Sequence, residues 1–513
     1  MTARVYWGDL HSHCSVSYGE GTVAQALLRA RRQLDFCSIT GHAFWPDMPT
    51  DRERYGRIID YHREGFARLA KNWDGLLAEL WAASKEGEFV ALPSYEWHSL
   101  EYGDHNVYAR GPDLPLRDGA NLRQLRELAM ASGAIMVPHH IGYAAGFRGI
   151  DWRHFDASAS PVVEIYSLHG ASISASTAFP MLHDMGPTDY GSTAVAGWRL
   201  GHRFGVIAST DHHGGYPGSH GDGCAAVLAD ALTRDALWEA ICARRTYAVT
   251  GDKIRIDMTL NDAPIGSELT AAKRRCVRVQ VTGLDELDRV ELLKNEQVVA
   301  RWHAGDGAAP ERSTRGRLRV TWGWGRKDEP AYWDAELTID EGEIRDVTSC
   351  FSGQSVVAPK GVAGHSTVED QADLPHEITA REPRRVAWRS VTTGNLSTRH
   401  RTTQALSLLL DAPPSARVTV RTSHGEWTHS LAELRHGGCS HYQQGWLSPA
   451  LVVGPFVEEQ RCQAIAEWTD DLSDTNDLAS NAGDAPLADY YRLRVAQANG
   501  QWAWASPIWV ERQ

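Results

Sequence analysis

The stretch Gly8-Asp9-Leu10-His11-Ser12-His13 follows directly on the apolar run Val5-Tyr6-Trp7. Extended backbone turns residues two apart to the same side, so Asp9, His11 and His13 are expected to converge. Convergent imidazole and carboxylate donors are what a divalent transition metal takes as ligands. A strand end with solvated polar side chains would carry the same residues, so one such motif decides little.

Similar residues recur at the ends of other apolar runs. "FCSITGH" ends at His42 and "FVALPSYE" at Glu96; "GDHNVY" supplies His105, and "AIMVPHH" ends at His139 and His140. "VVEIYSLHG" supplies Glu164 and His169, and "GVIASTDHHGG" supplies Asp211, His212 and His213. Histidines scattered at random do not fall repeatedly at strand ends, and barrels of alternating strand and helix build their active sites there. A carboxylate shared by two cations holds them ~3.5–4 Å apart, and water between them loses a proton near neutral pH. The resulting bridging hydroxide is a nucleophile, and the cations neutralise charge developing on a phosphoryl group. Mixed imidazole and carboxylate ligands suit zinc, manganese or iron. Ser12 and Cys14 alternate away from the ligands, and the strand places no base that would activate Cys14.

The elements that must position these residues fall in the first ~250 positions, where strand and helix patterns alternate. Strands are expected at 4–10, 34–40, 88–94, 106–109, 134–138, 162–166 and 204–209, and helices at 22–32, 51–85, 122–132 and 234–244. Strands separated by helices call for parallel pairing, here in a closed or nearly closed barrel with an open sheet as the alternative. From residue 252 the texture changes to alternating segments such as "RCVRVQVTG", "RLRVTWGW" and "ARVTVRTSHG", separated by Gly, Asn, Asp and Pro. These predict antiparallel strands with one buried face, in one or two β-sandwiches. Long loops are expected near 352–383 and 470–486.

Composition sets the outer limits. At 513 residues more than one domain is expected, with a division at 251/252. A net charge of -13 and a pI near 6.0 argue against a nucleic-acid surface. No apolar run reaches the ~18 residues of a membrane helix, and the chain enters its first strand without an apolar leader. Eight cysteines without a C-x-x-C pair suit reduced thiols, so a cytoplasmic setting is expected.

The order D-x-H-x-H, T-x-H, E, H, H and a late D-x-H resembles the polymerase-and-histidinol-phosphatase (PHP) superfamily of metal-dependent hydrolases. "WGDLHSHCSVSYGEGT", "DFCSITGHAFWPDMP", "GDHNVY", "VPHH" and "ARRTYAVTGDKI" are similar to a PHP subgroup carrying a C-terminal β-rich region. The resemblance covers residues 5–256 and touches the C-terminus through "YYRLRVAQANGQWAWASPIWV". It implies a distorted (β/α)7 barrel holding two or three divalent metals. His11, His13, Glu96 and Asp211 would hold one, and Glu96, His105 and His139 a second. His42 and His213 would hold a third, with Glu20 at the loop position where the family places a further ligand. His98, His140 and His212 are neighbours able to replace an assigned ligand.

The expected activity is hydrolysis of a small-molecule phosphate ester, with His140 or His169 assisting the leaving group and Arg148 forking onto phosphate oxygens. Glu164 is expected to orient a ligand or serve structure. Arg244, Arg245 and Tyr247 are expected to stitch the end of the barrel region to the β-rich region. Hydrolysis of a C–N or C–O bond uses the same hydroxide and stands as the first alternative. The second is a carbohydrate-binding protein with structural metals, in which tryptophans such as Trp322, Trp324, Trp502 and Trp504 form sugar platforms instead of packed core.

Overall fold

The computed structural model describes residues 3–306, 314–327, 329–354, 376–394, 401–471 and 488–512. The structure is mixed α/β and rich in strands, arranged in several sheets. In the first half, β1 (Arg4–Asp9), β2 (Phe36–Ser38) and β4 (Val90–Leu92) pair in parallel. A second sheet runs β3 (Gly41–Phe44), β5 (Ser94–Trp97), β6 (His105–Tyr108), β7 (Ile135–Pro138). A third holds β8 (Val162–Ser167), β9 (Gly170–Ala171) and β10 (Gly205–Ala208).

Two of the expected strands are therefore each divided between two sheets. The run ending at His42 splits into β2 and β3, and the run ending at Glu96 splits into β4 and β5 on either side of Pro93. Proline has no N–H to give to a ladder, so a strand changes partners there at little cost. Parallel pairing throughout is corrected as well. β5–β6 and β6–β7 are antiparallel; the 98–104 link between β5 and β6 is too short for a crossover helix and turns through Gly103 at φ 78°. Pairing closed around all seven expected strands is not seen among the described residues; the ladders belong to three separate sheets.

The helices follow their sequence signals. α1 (Val23–Gln33) starts on a capping box between Thr22 and Gln25. α2 (Arg52–Ala83) is capped by Asp51 and buries Ile59, His62, Gly65, Leu69, Trp73, Leu76 and Leu80 at helical spacing. At Gly65 a Cβ would stand 2.4 Å from the Tyr18 ring, so only glycine lets helix and ring approach so closely. α3 (Leu122–Ala131), α4 (Ala194–Arg199) and α5 (Arg234–Cys242) complete this half.

β11 (Cys224–Ala229) and β12 (Thr246–Val249) extend the first sheet beyond β1 in antiparallel fashion. Strand Trp502–Ala505 then pairs with β12, so one sheet runs on from residues before 251 into the C-terminal strands. Arg244 and Tyr247 meet the later residues as expected. The Arg244 Nη2 bonds Glu268 Oε1 at 2.7 Å, and Ile256 N donates to Tyr247 Oη at 3.3 Å.

Farther along, two five-stranded antiparallel sheets face one another. One holds Arg315–Trp324, Glu343–Cys350, Thr403–Asp411, Cys439–Tyr442 and Pro449–Glu458, and the other Ala331–Ile339, Glu377–Glu382, Arg385–Thr392, Arg417–Thr422 and Gly425–Ser430. Leu318, Trp322, Leu337, Trp388, Leu408 and Val420 contribute to their shared apolar cluster. The expected loop near 352–383 is shortened by strand Glu377–Glu382; residues 355–375, like 472–487, lie outside the described residues. All eight cysteines are free, and among the described residues no helix is long and apolar enough to cross a membrane.

Candidate metal centre

Beyond β1 the chain stays extended and zips against the loop that follows β10. Asp211 N donates to His11 O at 2.7 Å, His13 N to His212 O at 3.0 Å and Gly215 N to His13 O at 3.0 Å. This ladder brings the two histidine-rich segments side by side. Asp9 itself does not join the cluster. Its carboxylate accepts from His11 N, Thr210 N, Thr210 Oγ1 and Gly218 N, so it anchors the loop, and burial pushes its pKa up to about 6. The expected convergence holds for His11 and His13 and fails for Asp9.

Glu96 lies at the middle of the group, on β5. Its Oε2 is 3.3 Å from His42 Nε2, 3.6 Å from His13 Nε2 and 4.0 Å from His11 Nε2. Though buried, this oxygen has no hydrogen-bond partner among the described residues. Its Oε1 lies 2.9 Å from His139 Nε2 and 3.4 Å from His98 Nδ1. Asp211 meets His13 Nε2 at 3.0 Å and His11 Nε2 at 3.3 Å through Oδ1, and His169 Nε2 at 3.1 Å through Oδ2. The rings of His11 and His13 stand at 80° with their Nε2 atoms 3.1 Å apart.

His213 joins His13 and His42 in a third group whose ligand atoms lie within 4.8 Å of one another. Its Nδ1 is fixed by Asp211 O at 2.9 Å. Glu20 enters the site region through its backbone, with its N–H donating to His213 O at 2.8 Å.

Burial dominates the electrostatics. It lowers His11, His42, His139 and His213 well below their ordinary values, so these rings are neutral, the form that ligates metals. Burial, and then the Asp104 and Asp211 carboxylates, push Glu96 well above the carboxylate range. The donor set thus concentrates acidic oxygens around a buried point where a cation would settle them. Glu164 accepts from His11 Nδ1 at 3.0 Å, which leaves the Nε2 lone pair facing the cluster. A carboxylate set behind an imidazole in this way is the arrangement that orients such a ring.

The sequence reading is corrected at the second expected ligand set. Asp104, not its neighbour His105, gathers with Glu96, His139 and His140. His105 turns to the Gly103 carbonyl at 3.0 Å and lies edge-on to Trp97. The two are consecutive at the start of β6 and face opposite sides, so an offset of one residue exchanged them. Asp104 Oδ2 lies 3.1 Å from His98 Nδ1 and 3.2 Å from His140 Nε2 and pairs with Arg148, while Oδ1 accepts from Ser99 N. Arg148 packs over Trp45 with its guanidinium 5.1 Å from the ring centroid and donates to Met185 Sδ at 3.7 Å. It is committed to Asp104 rather than free to fork. His169 is held between Asp211 and the Tyr143 hydroxyl, which sits 2.8 Å from its Nδ1.

His140, Arg148 and Asp211 have φ of 33°, 70° and 54°. Non-glycine residues in this region of the backbone map concentrate at functional sites. No sequence signal marked Asp104 or Tyr143, and the ring of His183 stacked 4.6 Å from His169 was likewise unforeseen. Of the tryptophans considered as sugar platforms, Trp322 and Trp504 are buried and Trp502 is half-buried; Trp324 is exposed at 38 %.

No family model matches the chain. It is 24 % identical over 267 residues to an uncharacterized protein of Chlamydia pneumoniae, 45 % of this chain and 42 % of that one. It is 27 % identical over 244 residues to one of Chlamydia trachomatis (43 % and 39 %), and 28 % over 236 residues to one of Chlamydia muridarum (41 % and 38 %). The chain therefore spans about two fifths of the length of these relatives. A solved structure from Bacteroides vulgatus, a two-domain protein containing a predicted PHP-like metal-dependent phosphoesterase, is 15 % identical with a TM-score of 0.33, over 57 % of this chain and 79 % of that one.

Proposed function

We propose that this chain is a metal-dependent hydrolase, acting first of all on phosphoric esters of small molecules. The observation that carries the reading is Glu96, a buried carboxylate with imidazole nitrogens gathered at both oxygens and no hydrogen-bond partner for Oε2. On this reading His11, His13, Glu96 and Asp211 hold one ion, and Glu96 and His139 share a second with donors from the Asp104 side. His42 and His213 offer a third place, with Glu20 near it. Zinc, manganese and iron all suit such ligands. The bound ions would acidify water to a nucleophile and neutralise charge on the ester oxygens.

The chain's own residues do the positioning. Glu164 keeps the His11 Nε2 lone pair directed inward. His169, held between Asp211 and Tyr143, is placed to pass a proton to a departing group, with His140 beside it at 4.8 Å between ring centroids. Arg148, fixed by Asp104, contributes positive charge at the rim. Residues 1–251 carry this chemistry, their sheets read as a distorted (β/α)7 arrangement, and residues 252–513 support it.

The test is metal analysis of the purified protein, then assays on phosphomonoesters, phosphodiesters, amides and lactones with Mn(II), Zn(II) and Fe(II). Glu96→Ala and Asp211→Ala are expected to lose metal and metal-dependent turnover together. Full activity in either variant with unchanged metal content refutes the proposal, and turnover confined to amides or lactones moves the reaction to C–N or C–O bonds.

A further inference from the structure

Only a few residues separate the candidate ligands Asp211 and His213 from a second contact, made by residues from the far part of the chain. Tyr216, 2 % exposed, inserts into the apolar cluster shared by the two facing five-stranded sheets. Its ring lies 5.8 Å from that of His376 and 6.4 Å from that of His212, and the Arg29 guanidinium stands 5.4 Å from it. Arg29 also donates to Gly214 O at 3.3 Å and Gly215 O at 2.9 Å, so the loop is held from α1 as well.

The segment after strand Glu343–Cys350 runs along this loop. His220 N donates to Phe351 O at 2.9 Å, Ser352 Oγ to His220 O at 3.0 Å and Gly353 N to Ser219 Oγ at 3.2 Å. Gln404 fixes Ser352 from behind, accepting from its N–H and donating to its carbonyl, each at 2.8 Å. The approach is tight. A Cβ at Gly353 would fall 2.5 Å from Tyr216 Cβ and 2.9 Å from His212 Cε1. A Cβ at Gly214 would fall 2.7 Å from His212 Cε1 and 3.1 Å from Gln354 O.

We infer that Tyr216 is a positioning residue for the metal centre. Rooted in the core of the distant sheets and backed by Gly353, it fixes loop 211–215 and with it the ligand pair Asp211 and His213. The later half of the chain is then a brace for the site rather than an appended module. The inference rests on the reading of the cluster as a metal centre.

The experiment uses the full chain, stripped with chelator and titrated with Co(II), followed by visible absorption and by metal analysis. Partners that orient metal ligands from behind cost 10–100-fold in affinity when removed. Tyr216→Ala is expected to weaken the weakest-bound Co(II) about tenfold or more and to alter its absorption, while far-UV circular dichroism is unchanged; Tyr216→Phe is expected to stay within about twofold of wild type. Wild type that takes up no Co(II) overturns the underlying reading. Wild type that loads, with a folded Tyr216→Ala loading equally well, overturns the brace alone. If Tyr216→Ala does not fold, Gly353→Ala, which presses on Tyr216 and His212 without removing either ring, carries the same expectation, and unchanged Co(II) affinity in it overturns the inference.

Discussion

Asp252, just past β12, is the place where one substitution should do most damage to the junction between early and late parts of the chain. Its buried carboxylate accepts from His220 Nε2 at 2.8 Å and Arg319 Nη1 at 3.2 Å through Oδ1, and from Gln497 Nε2 at 2.8 Å and Asn499 Nδ2 at 2.7 Å through Oδ2. Arg319 belongs to one facing sheet and Gln497 to a C-terminal strand, so one acid joins three parts of the sequence. At 3.2 Å and an effective dielectric constant of ~20, the Arg319 attraction alone is about 5 kcal/mol. Breaking a buried pair by removing one partner costs about 3–5 kcal/mol, because the remaining charge stays desolvated. Asp252→Ala is therefore expected to destabilise by about 3–5 kcal/mol in urea titration, a large share of a typical ~5–15 kcal/mol. Adding Arg319→Met should recover part of the loss by removing the stranded cation. A loss below about 1 kcal/mol for Asp252→Ala would refute the claim that this acid ties the parts together.

The same junction predicts a pH window. Burial would raise the Asp252 pKa, but Arg319 and His220 outweigh it and hold the carboxyl well below the usual range. Its contribution is complete above an unfolded value of ~3.9 and disappears as pH falls toward the depressed folded value. For His220, burial lowers the pKa but Cys350 and Asp252 bring it above its ordinary value. That contribution is complete below ~6.5 and disappears as pH rises through the raised value, so stability from this junction should peak between about pH 4 and 6.5 in thermal melts. Glu164→Gln is expected to keep the fold and weaken metal binding about 10–100-fold, measured by competition with a chromogenic chelator; unchanged affinity would show that His11 does not need its partner. Trp322, buried and 5.0 Å from the ring of Trp388, should cost about 3–5 kcal/mol as Trp322→Ala. Trp322→Phe should cost much less, since the indole N–H has no acceptor among the described residues, and equal losses would argue against core packing as its role.

The site was legible where strand alternation ran undisturbed. His11 and His13 share a side because the backbone after β1 stays extended, and Glu96, His139 and Asp211 end well-marked apolar runs. Legibility failed where a local event changed the phase. Asp9 looked equivalent to the two histidines, yet four backbone and hydroxyl donors from residues as distant as Gly218 claimed its carboxylate. The choice between Asp104 and His105 hung on where β6 begins, which no composition reports. Strands divided at Pro93 and near Thr40 hid the fact that one apolar run serves two sheets. The alternating segments after residue 252 read correctly as strands with one buried face, as Arg274–Thr282 shows, but not which of them would return to pair with β12.

That return has a bearing on how the molecule is made. Tyr247 finds its ladder partner in Ala505, half the chain away, and the strands from 488 to 511 sit inside the largest sheet, not at its margin. A ribosome that has released only the early residues leaves β12 with an uncovered edge, and such edges invite pairing with the wrong neighbour. The sheet is completed only once residues 488–511 have emerged. Closure across such separation is slow, and shortening the polypeptide from its far end should expose a seam in the early half.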